Sequence, residues 1–315
     1  MSRLQEPVQL PKGTKPLSTQ VAGHKYGDGK IGCLEVDDGT ILKHVQCPPK
    51  GQREKEFYRE IFDSDTTDDV LLELQPVVPR FHGVVPGEKN GTVDKQEFLK
   101  LENLIKNISR PCILDIKMGR RTYDPEASPE KVALEIAKFP PVMQLGYQFS
   151  GMLKYDPEKK KMKKYDKYFC KKLTEDTMIV DGLGEFFRQG KHYRKDYIKI
   201  VIEKLKRIDD WFSKQRRYAF YASSLLFVYN ASADTLQSQD IVLCSTHKDS
   251  QNTNDQHNPD STSCEDCNQD NRDRSYVDVR MIDFTHVFSS ENEKDENYIF
   301  GLQNLIRHLE SLLEL

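Results

Sequence analysis

An acidic and a basic side chain lie two residues apart in the apolar segment PCILDIKMG, residues 111–119. Because successive side chains of a strand alternate between its two faces, Asp115 and Lys117 share one face. A charge buried in an apolar strand costs on the order of several kcal/mol unless it is paired or holds a ligand. From these two residues alone, two interpretations remain open: an ion pair along a half-exposed strand, or a site for a charged ligand.

Three further charges stand in apolar patterns elsewhere in the chain. Lys43 in TILKHV alternates onto the face expected to be buried, and Glu54 in QREKEFYREIF falls on the apolar stripe of a predicted helix. Asp283 lies between isoleucine and phenylalanine where the predicted strand VRMIDF ends. A strand lysine, a helix glutamate that pairs with it and a late carboxylate are the parts of an ATP site of the protein-kinase type.

These segments, in this order, resemble the inositol polyphosphate kinase family. The family signature P-x-x-x-D-x-K-x-G occurs once, at residues 111–119, and it is followed by a Ser-Leu-Leu motif at 224–226 and an Ile-Asp-Phe motif at 282–284. The likeness runs from about residue 17 to residue 315, apart from residues 234–275. The segments QVAGH, KGQREKEFY, RRTYDPEAS and FYASSLLFVY are most similar to the members that act on several inositol phosphates.

The resemblance implies an ATP-dependent kinase that phosphorylates hydroxyls of inositol trisphosphate and tetrakisphosphates, making tetrakis- and pentakisphosphates. It also implies phosphatidylinositol bisphosphate 3-kinase activity. The alternatives are an inositol hexakisphosphate kinase or trisphosphate 3-kinase of the same family, and a non-catalytic scaffold that binds inositol phosphates. A protein kinase is disfavoured because the H-R-D, D-F-G and A-P-E motifs are absent.

The resemblance also implies the roles of the site residues. Lys43, held by Glu54, binds the nucleotide phosphates, and Asp283, with Ser224 beside it, holds Mg²⁺. The catalytic residues are Asp115, Lys117 and Asp283: Asp115 engages the ribose or the active-site network, and Lys117 bridges the transferred phosphoryl group and the accepting hydroxyl. The backbone of Glu102 and Leu104 contacts adenine.

The predicted substrate contacts carry positive charge or a histidine ring: Lys117, Lys131, Lys138, Lys171 and His286. Two of the lysines stand seven residues apart in SPEKVALEIAKFP, where Ser128 as N-cap, Pro129 at the first position and Pro140 as stop define a short helix. Val132, Ile136 and Phe139 form its predicted apolar stripe. A solvated lysine face is the alternative interpretation of the two lysines.

The predicted fold class is α+β, a two-lobed kinase-like fold with a small β-rich N-lobe and a larger mixed α/β C-lobe. The domain prediction has five parts: a flexible tail at residues 1–16, an ATP-binding N-lobe at 17–104, a catalytic C-lobe at 105–315, and within it a short helical inositol-binding segment at about 126–180 and a disordered acidic insert at about 234–275. The insert holds nine acids and three bases and is rich in Asp, Asn, Ser, Thr and Gln. Since the whole chain has a net charge of −3, the rest of it is net positive and suits phosphate ligands.

Composition and charge predict the state of the cysteines, the role of the basic run and the solubility of the protein. The seven cysteines show no framework spacing and are predicted to be reduced thiols, and Cys264 and Cys267 lack the second ligand pair of a zinc finger. The basic run KKKMKK, residues 159–164, is predicted to lie in a loop. It has three open interpretations: a solvated loop, a patch for anionic lipid or nuclear import, or an arm over the substrate. No segment approaches the ~18 apolar residues of a membrane span. We expect a soluble monomer of the nucleus and cytoplasm that binds inositol polyphosphates and phosphoinositide headgroups but not nucleic acid.

Overall fold

The computed structural model describes residues 10–23, 26–27, 30–89, 92–231 and 276–315. The predictions for the zinc candidate and the acidic insert fall outside these residues, as does most of the predicted tail. Two five-stranded antiparallel sheets dominate the described part. The first sheet has the order β1-β2-β3-β5-β4, with strands at Thr14–Pro16 (β1), Cys33–Val36 (β2), Thr40–His44 (β3), Phe81–Lys89 (β4) and Thr92–Glu102 (β5).

The second sheet contains the signature strand at its centre. Its order is β13-β12-β6-β7-β8, with strands at Pro111–Met118 (β6), Tyr147–Asp156 (β7), Lys161–Tyr165 (β8), Ser224–Asn230 (β12) and Val277–Ile282 (β13). Two short pairs accompany it: Arg188–Gln189 (β9) with His192–Tyr193 (β10), and Tyr218–Phe220 (β11) with Val287–Ser289 (β14). Because β6 has a neighbour on each side, seven of its eight residues are buried, all except Lys117.

Helices cover the two sheets and connect them. Their bounds are Lys50–Ile61 (α1), Asp69–Leu74 (α2), Pro129–Lys138 (α3), Val142–Leu145 (α4), Lys167–Lys172 (α5), Glu185–Phe187 (α6), Lys195–Lys214 (α7) and Glu296–Glu314 (α8), with a 3₁₀ turn at Gln75–Val77 and a π-helix at Met178–Gly184. The long amphipathic helices α7 and α8 pack against each other, and both contact the second sheet through their buried apolar stripes. None of the described helices is long and apolar enough to cross a membrane.

One hydrophobic core extends from helix α1 of the first sheet's layer to helices α7 and α8. Helix α1 meets the second lobe through aromatic contacts, which form an aromatic seam. The ring centroids of Phe57 and Phe284 lie 4.6 Å apart, and those of Tyr58 and Phe284 lie 5.4 Å apart. Offset and edge-to-face aromatic pairs contribute about 0.5–1.5 kcal/mol each beyond the area they bury. The two lobes are therefore joined by packing directly beside Asp283.

Two local predictions were wrong. The basic run, predicted as a loop, includes the edge strand β8, in which Lys161, Met162, Lys163 and Lys164 are exposed. Pairing with β7 overrides the weak strand preference of lysine, and lysines on an edge strand discourage pairing with other chains. In α3 the cap at Ser128 is confirmed, because its hydroxyl accepts the Lys131 N–H at 3.3 Å, but Ile136 is 45% exposed and Glu135 is buried instead.

Candidate active site

A cavity of about 600 Å³ lies where the two sheets meet. Lys43 from β3, Asp115 and Lys117 from β6, Ser224 from β12 and Asp283 after β13 all line it. Glu102, Leu104 and His286, which were also predicted as site residues, line the same cavity. Residues far apart in the sequence therefore converge on one space of the size typical of ligand pockets, roughly 300–1,000 Å³.

The Lys43 ammonium group joins the two lobes. Its Nζ lies 2.7 Å from Oε1 of Glu54 on α1, and it also contacts the carboxylate of Asp283. Glu54 is fully buried, and the same Oε1 accepts the Phe284 N–H at 3.0 Å. Burial lowers the pKa of Lys43, but the charges of Asp283 and Glu54 outweigh burial and hold this pKa well above its ordinary value. Lys43 is therefore a permanent cation, and its predicted pairing with Glu54 is confirmed.

Asp283 is placed by an unusual backbone conformation. Its φ is 64°, in the left-handed region that only glycine, asparagine and aspartate visit readily. Non-glycine residues held in this region cluster at functional sites, where surrounding contacts fix them. The side chain remains 43% exposed. Burial raises the pKa of Asp283, but the charge of Lys43 and its hydrogen bond outweigh burial and lower this pKa, so the carboxylate is ionised.

Asp115 has the opposite electrostatic environment. It is 5% exposed, and its Oδ1 has no hydrogen-bond partner among the described residues. Burial, followed by the charge of Asp283, raises the pKa of Asp115 to about 6, although Lys117 and the hydroxyls of Ser224 and Ser150 oppose the rise. A buried, unpartnered carboxylate oxygen beside a second carboxylate is typical of a site that awaits a cation or a hydrogen-bond donor.

A β-bulge brings a further hydroxyl to Asp115. On β7, Gly151 faces Asp115 and Phe149 faces Ile116, so Ser150 is the extra residue between them. Ser150 lines the cavity. A side chain at Gly151 would collide with the backbone carbonyl of Val21, which explains why glycine follows the bulge. Ser150 was not predicted from the sequence. The Ser150-Gly151 pair is the sole local indication of the bulge, and it does not show which residue is displaced.

Strand register places Lys117 beside Ser224. The two residues are direct cross-strand neighbours, and Ser224 in turn faces Ile282, the residue before Asp283. Side chains at directly opposed positions have Cβ atoms about 4.5–5.5 Å apart. The signature motif, the serine of the Ser-Leu-Leu motif and the aspartate of the Ile-Asp-Phe motif therefore form one row across three adjacent strands.

The oxygens of this row, together with those of Asp115 two residues before Lys117, fit an oxygen-preferring divalent cation. Asp283 offers an ionised carboxylate on the cavity, Asp115 offers an oxygen without a partner, and Ser224 offers a hydroxyl. Hard cations such as Mg²⁺ bind one or two carboxylates and complete their shell with water and substrate phosphates. The described residues contain no group of three or more histidine, cysteine or acidic side chains arranged to hold a metal. The donors present therefore suit a cation shared with phosphates rather than one enclosed by protein.

The cavity also has an apolar lining. Ile31, Ile41, Leu226 and Ile282 line it, as do Glu102, Asn103 and Leu104 of the chain that connects the two lobes. The segment at residues 17–23 closes one side, and Val21 packs with Ile113 and Leu153 of the second sheet. An apolar slot beside a connecting segment matches a flat heteroaromatic ring such as adenine. No residue pattern indicated that this N-terminal segment reaches the cavity.

The predicted substrate residues are only partly brought together. His286 lines the cavity. Lys131 and Lys138 both pair with Glu135, the second at 2.6 Å, and neither lines the cavity. Lys171 is an exposed residue in the last turn of helix α5 and does not line the cavity either. The substrate roles of these three lysines stay predictions.

Sequence reasoning also missed Asp124. This residue is 8% exposed and its Oδ2 contacts Nδ1 of His286. Burial lowers the pKa of His286, while the Asp124 carboxylate opposes this effect, and the pKa of His286 stays below its ordinary value. The only signal in the sequence was the turn-forming segment Tyr-Asp-Pro, which indicates a loop and not a partner for a residue 162 positions later.

A buried lysine–glutamate pair, a cation-binding row of oxygens and an apolar slot between two lobes define a phosphotransferase of the kinase type. A family model described as inositol polyphosphate kinase matches residues 98–310. The chain is 34% identical to the human inositol polyphosphate multikinase over 96% of its own length and 89% of that protein. These matches show that the chain belongs to the inositol polyphosphate kinase family, as the sequence motifs predicted.

Other relatives agree with this placement. The rat inositol polyphosphate multikinase is 33% identical over 96% of this chain and 93% of that protein, whereas human inositol hexakisphosphate kinase 3 is 30% identical over 70% of this chain and 52% of its own length. Among solved structures, the inositol phosphate multikinase Ipk2 from S. cerevisiae in complex with ADP and Mn²⁺ has a TM-score of 0.59 at 20% identity and covers 87% of this chain and 99% of that one. The predicted two-lobed α+β fold is confirmed.

Proposed function

We propose that this inositol polyphosphate kinase transfers the γ-phosphoryl group of ATP to hydroxyls of inositol trisphosphate and tetrakisphosphates, with Mg²⁺ as the metal. The observation that carries the proposal is the convergence of Lys43, Asp115, Lys117, Ser224 and Asp283 on one cavity of about 600 Å³. A site with two carboxylates, two lysines and a hydroxyl serves phosphoryl transfer, because that reaction needs positioning and charge neutralisation more than covalent chemistry.

The role proposed for each residue is supported by its surroundings and by the family likeness. Lys43, a permanent cation held by Glu54, binds the nucleotide phosphates. Asp283 and Ser224 would hold Mg²⁺, which neutralises charge on the phosphate oxygens when it is bound. Lys117 extends from the same face as Asp115 and meets the transferred phosphoryl group, while Asp115 orients the nucleotide or the cation. The backbone of Glu102 and Leu104 contacts adenine beside the apolar slot.

The substrate class is inferred from likeness and from charge. Both mammalian multikinases described above align over nearly all of this chain, whereas the hexakisphosphate kinase aligns over 70% of it. A substrate with three or four phosphates needs several cations, and Lys117, Lys131, Lys138, Lys171 and His286 are the proposed contacts. Lysine acts as a point charge on a flexible stem and so suits phosphates in more than one orientation. The same chemistry would accept the headgroup of a phosphoinositide lipid.

The second candidate is a hexakisphosphate kinase of the same family, because human hexakisphosphate kinase 3 shares 30% identity with this chain. We further propose that the protein acts as a monomer in the nucleus and cytoplasm. Sequence composition and family likeness support this part of the proposal. The fold would suit either substrate choice, so the two candidates differ in the acceptor alone.

The test offers purified protein, ATP and Mg²⁺ a panel of acceptors and resolves the products by ring position. The panel contains inositol trisphosphate, two tetrakisphosphate isomers, hexakisphosphate and vesicles that carry phosphatidylinositol bisphosphate. The expected result is phosphorylation of trisphosphate and tetrakisphosphate at more than one hydroxyl. Turnover of hexakisphosphate without trisphosphate would establish the second candidate instead. The Asp283→Asn variant is the inactive control for contaminating kinases.

A further inference from the structure

A partly buried acid–histidine pair lies at the edge of the active-site cavity. Oδ2 of Asp124, in the loop between β6 and α3, contacts Nδ1 of His286, in the turn after β13. The side chain of Asp124 is 10% exposed and that of His286 is 20% exposed. The pair is therefore largely shielded from water, and its histidine lines the same cavity as Lys117 and Asp283.

The Asp124 carboxylate is oriented by its own loop. Its Oδ1 accepts the backbone N–H of Glu126 at 3.0 Å, which leaves Oδ2 for the histidine. The charged groups that face His286 from neighbouring elements are Lys50 and Arg53 of α1, and Arg53 itself pairs with Glu126. Asp124 is thus the one acid in direct contact with the ring among the described residues, and the two α1 cations lie around it.

This geometry selects one tautomer of the histidine. An ionised carboxylate only accepts hydrogen bonds, so the proton of a neutral imidazole ring must sit on Nδ1. The lone pair is then on Nε2, for which the described residues provide no partner. Burial and the neighbouring cations lower the pKa of His286 while Asp124 raises it, and the pKa stays below the ordinary value. The ring is therefore neutral at pH 7 and has a free acceptor.

We propose that Asp124 is a positioning residue that fixes His286 so that Nε2 accepts the proton of the attacking inositol hydroxyl. In this step the bond between the hydroxyl oxygen and the γ-phosphorus forms, and the bond from that phosphorus to the β–γ bridging oxygen breaks. The hydroxyl proton moves to Nε2 and leaves later to water, and ADP carries the charge of the leaving oxygen. The inference rests on the proposed function for the identity of the acceptor hydroxyl.

Asp124→Asn is the informative substitution. The asparagine keeps the carbonyl that accepts the Glu126 N–H, so the loop is retained, but its amide N–H groups would face Nδ1. A donor at that place forces the proton onto Nε2 and removes the acceptor from the cavity. General base catalysis contributes about 10²–10⁴-fold in enzymes, and the loose transition state of phosphoryl transfer places this site at the lower end. We expect kcat to fall about 10- to 100-fold, with KM for ATP unchanged within about 2-fold.

A double-mutant cycle separates positioning from a purely structural role. The variants are Asp124→Asn, His286→Gln, the double variant, and Glu130→Gln as a control that removes an exposed acid from the first turn of α3. If Asp124 acts through His286, adding Asp124→Asn to His286→Gln changes kcat by less than about 2-fold. An equal loss in both backgrounds, or a His286→Gln enzyme with nearly full kcat, overturns the inference.

The pH profile provides a second readout that also covers the case in which Asp124→Asn does not fold. Activity of the unaltered enzyme should decline as pH falls through the pKa of His286, and His286→Gln should lose that part of the acid limb. Asp124→Asn, which loses the carboxylate that raises this pKa, should move the limb to lower pH. An acid limb identical in the unaltered enzyme and His286→Gln refutes proton transfer to this ring. Failure of the unaltered enzyme on every acceptor would refute the proposed function, which is a separate outcome.

Discussion

Replacing Asp115 by asparagine should stabilise the ligand-free protein while it abolishes catalysis. The carboxyl group is buried, has an oxygen without a partner and lies near the charge of Asp283. Because its pKa is raised in the folded state, the folded protein holds this proton more tightly than the unfolded chain does. Ionisation of Asp115 therefore opposes folding, and the uncharged asparagine removes that opposition.

The size and sign of the effect follow from the pKa. A rise from 3.8 to about 6 corresponds to about 3 kcal/mol of lost stability once both states are ionised. The penalty is small near pH 4, where the group is still protonated in the folded state, and it grows as pH rises to about 6 and above. The free energy of unfolding of Asp115→Asn minus that of the unaltered protein should thus increase by about 2 kcal/mol between pH 4.5 and pH 7.5.

Urea denaturation of the ligand-free protein at the two pH values measures this difference, with equal m-values as the check on two-state behaviour. Asp278→Asn is the matched control, because Asp278 is equally buried on a nearby strand but the charges of Arg280 and Lys204 outweigh burial and lower its pKa. That control should be destabilised at pH 7.5. A stability difference for Asp115→Asn that does not depend on pH, or a net loss of stability at pH 7.5, would refute the argument.

Three further outcomes are expected. Asp283→Asn should lower kcat at least 10³-fold with little change in melting temperature, since Lys43 keeps Glu54 as its partner; near-normal turnover would contradict the metal assignment. Lys43→Met should lower the free energy of unfolding by about 3–5 kcal/mol in a denaturant titration, because it leaves Glu54 buried and charged without its cation, and a loss below 1 kcal/mol would argue against this. Deleting residues 240–270 should leave the product profile and kcat within about 2-fold, as the flanking backbone already closes through the Asn230 N–H to Tyr276 carbonyl bond of 3.0 Å; a severe loss would contradict a dispensable insert.

Much of the fold was predictable because local patterns agree with it. The apolar stripe of α1 and the cap of α3 were visible in the sequence, and the buried residues of α7 and α8 follow the same helical spacing. The exceptions are the places where tertiary contacts decide. Strand β8 forms from lysines because β7 supplies the hydrogen bonds, and Ile136 is exposed because Glu135 takes the buried position between two lysines.

The site was predictable where one strand or motif carries the chemistry. Lys43, Glu54 and Asp283 are charged residues at positions where the pattern predicts apolar side chains. A charge at such a position indicates a functional site. Ser150, Asp124 and the segment at residues 17–23 were missed for a different reason. Ser150 reaches the site through a β-bulge, Asp124 through a loop contact, and residues 17–23 by crossing between the two sheets. None of these features produces a periodic pattern of apolar residues in the sequence.

The aromatic seam between α1 and Phe284 has a consequence for how the enzyme fails on heating. The ring contacts that join the lobes lie beside the Lys43–Asp283 ion pair, so a hinge that opened between the lobes would separate Lys43 from Asp283. Loss of activity and global melting should therefore follow a single curve, with no warm intermediate that stays folded but inactive.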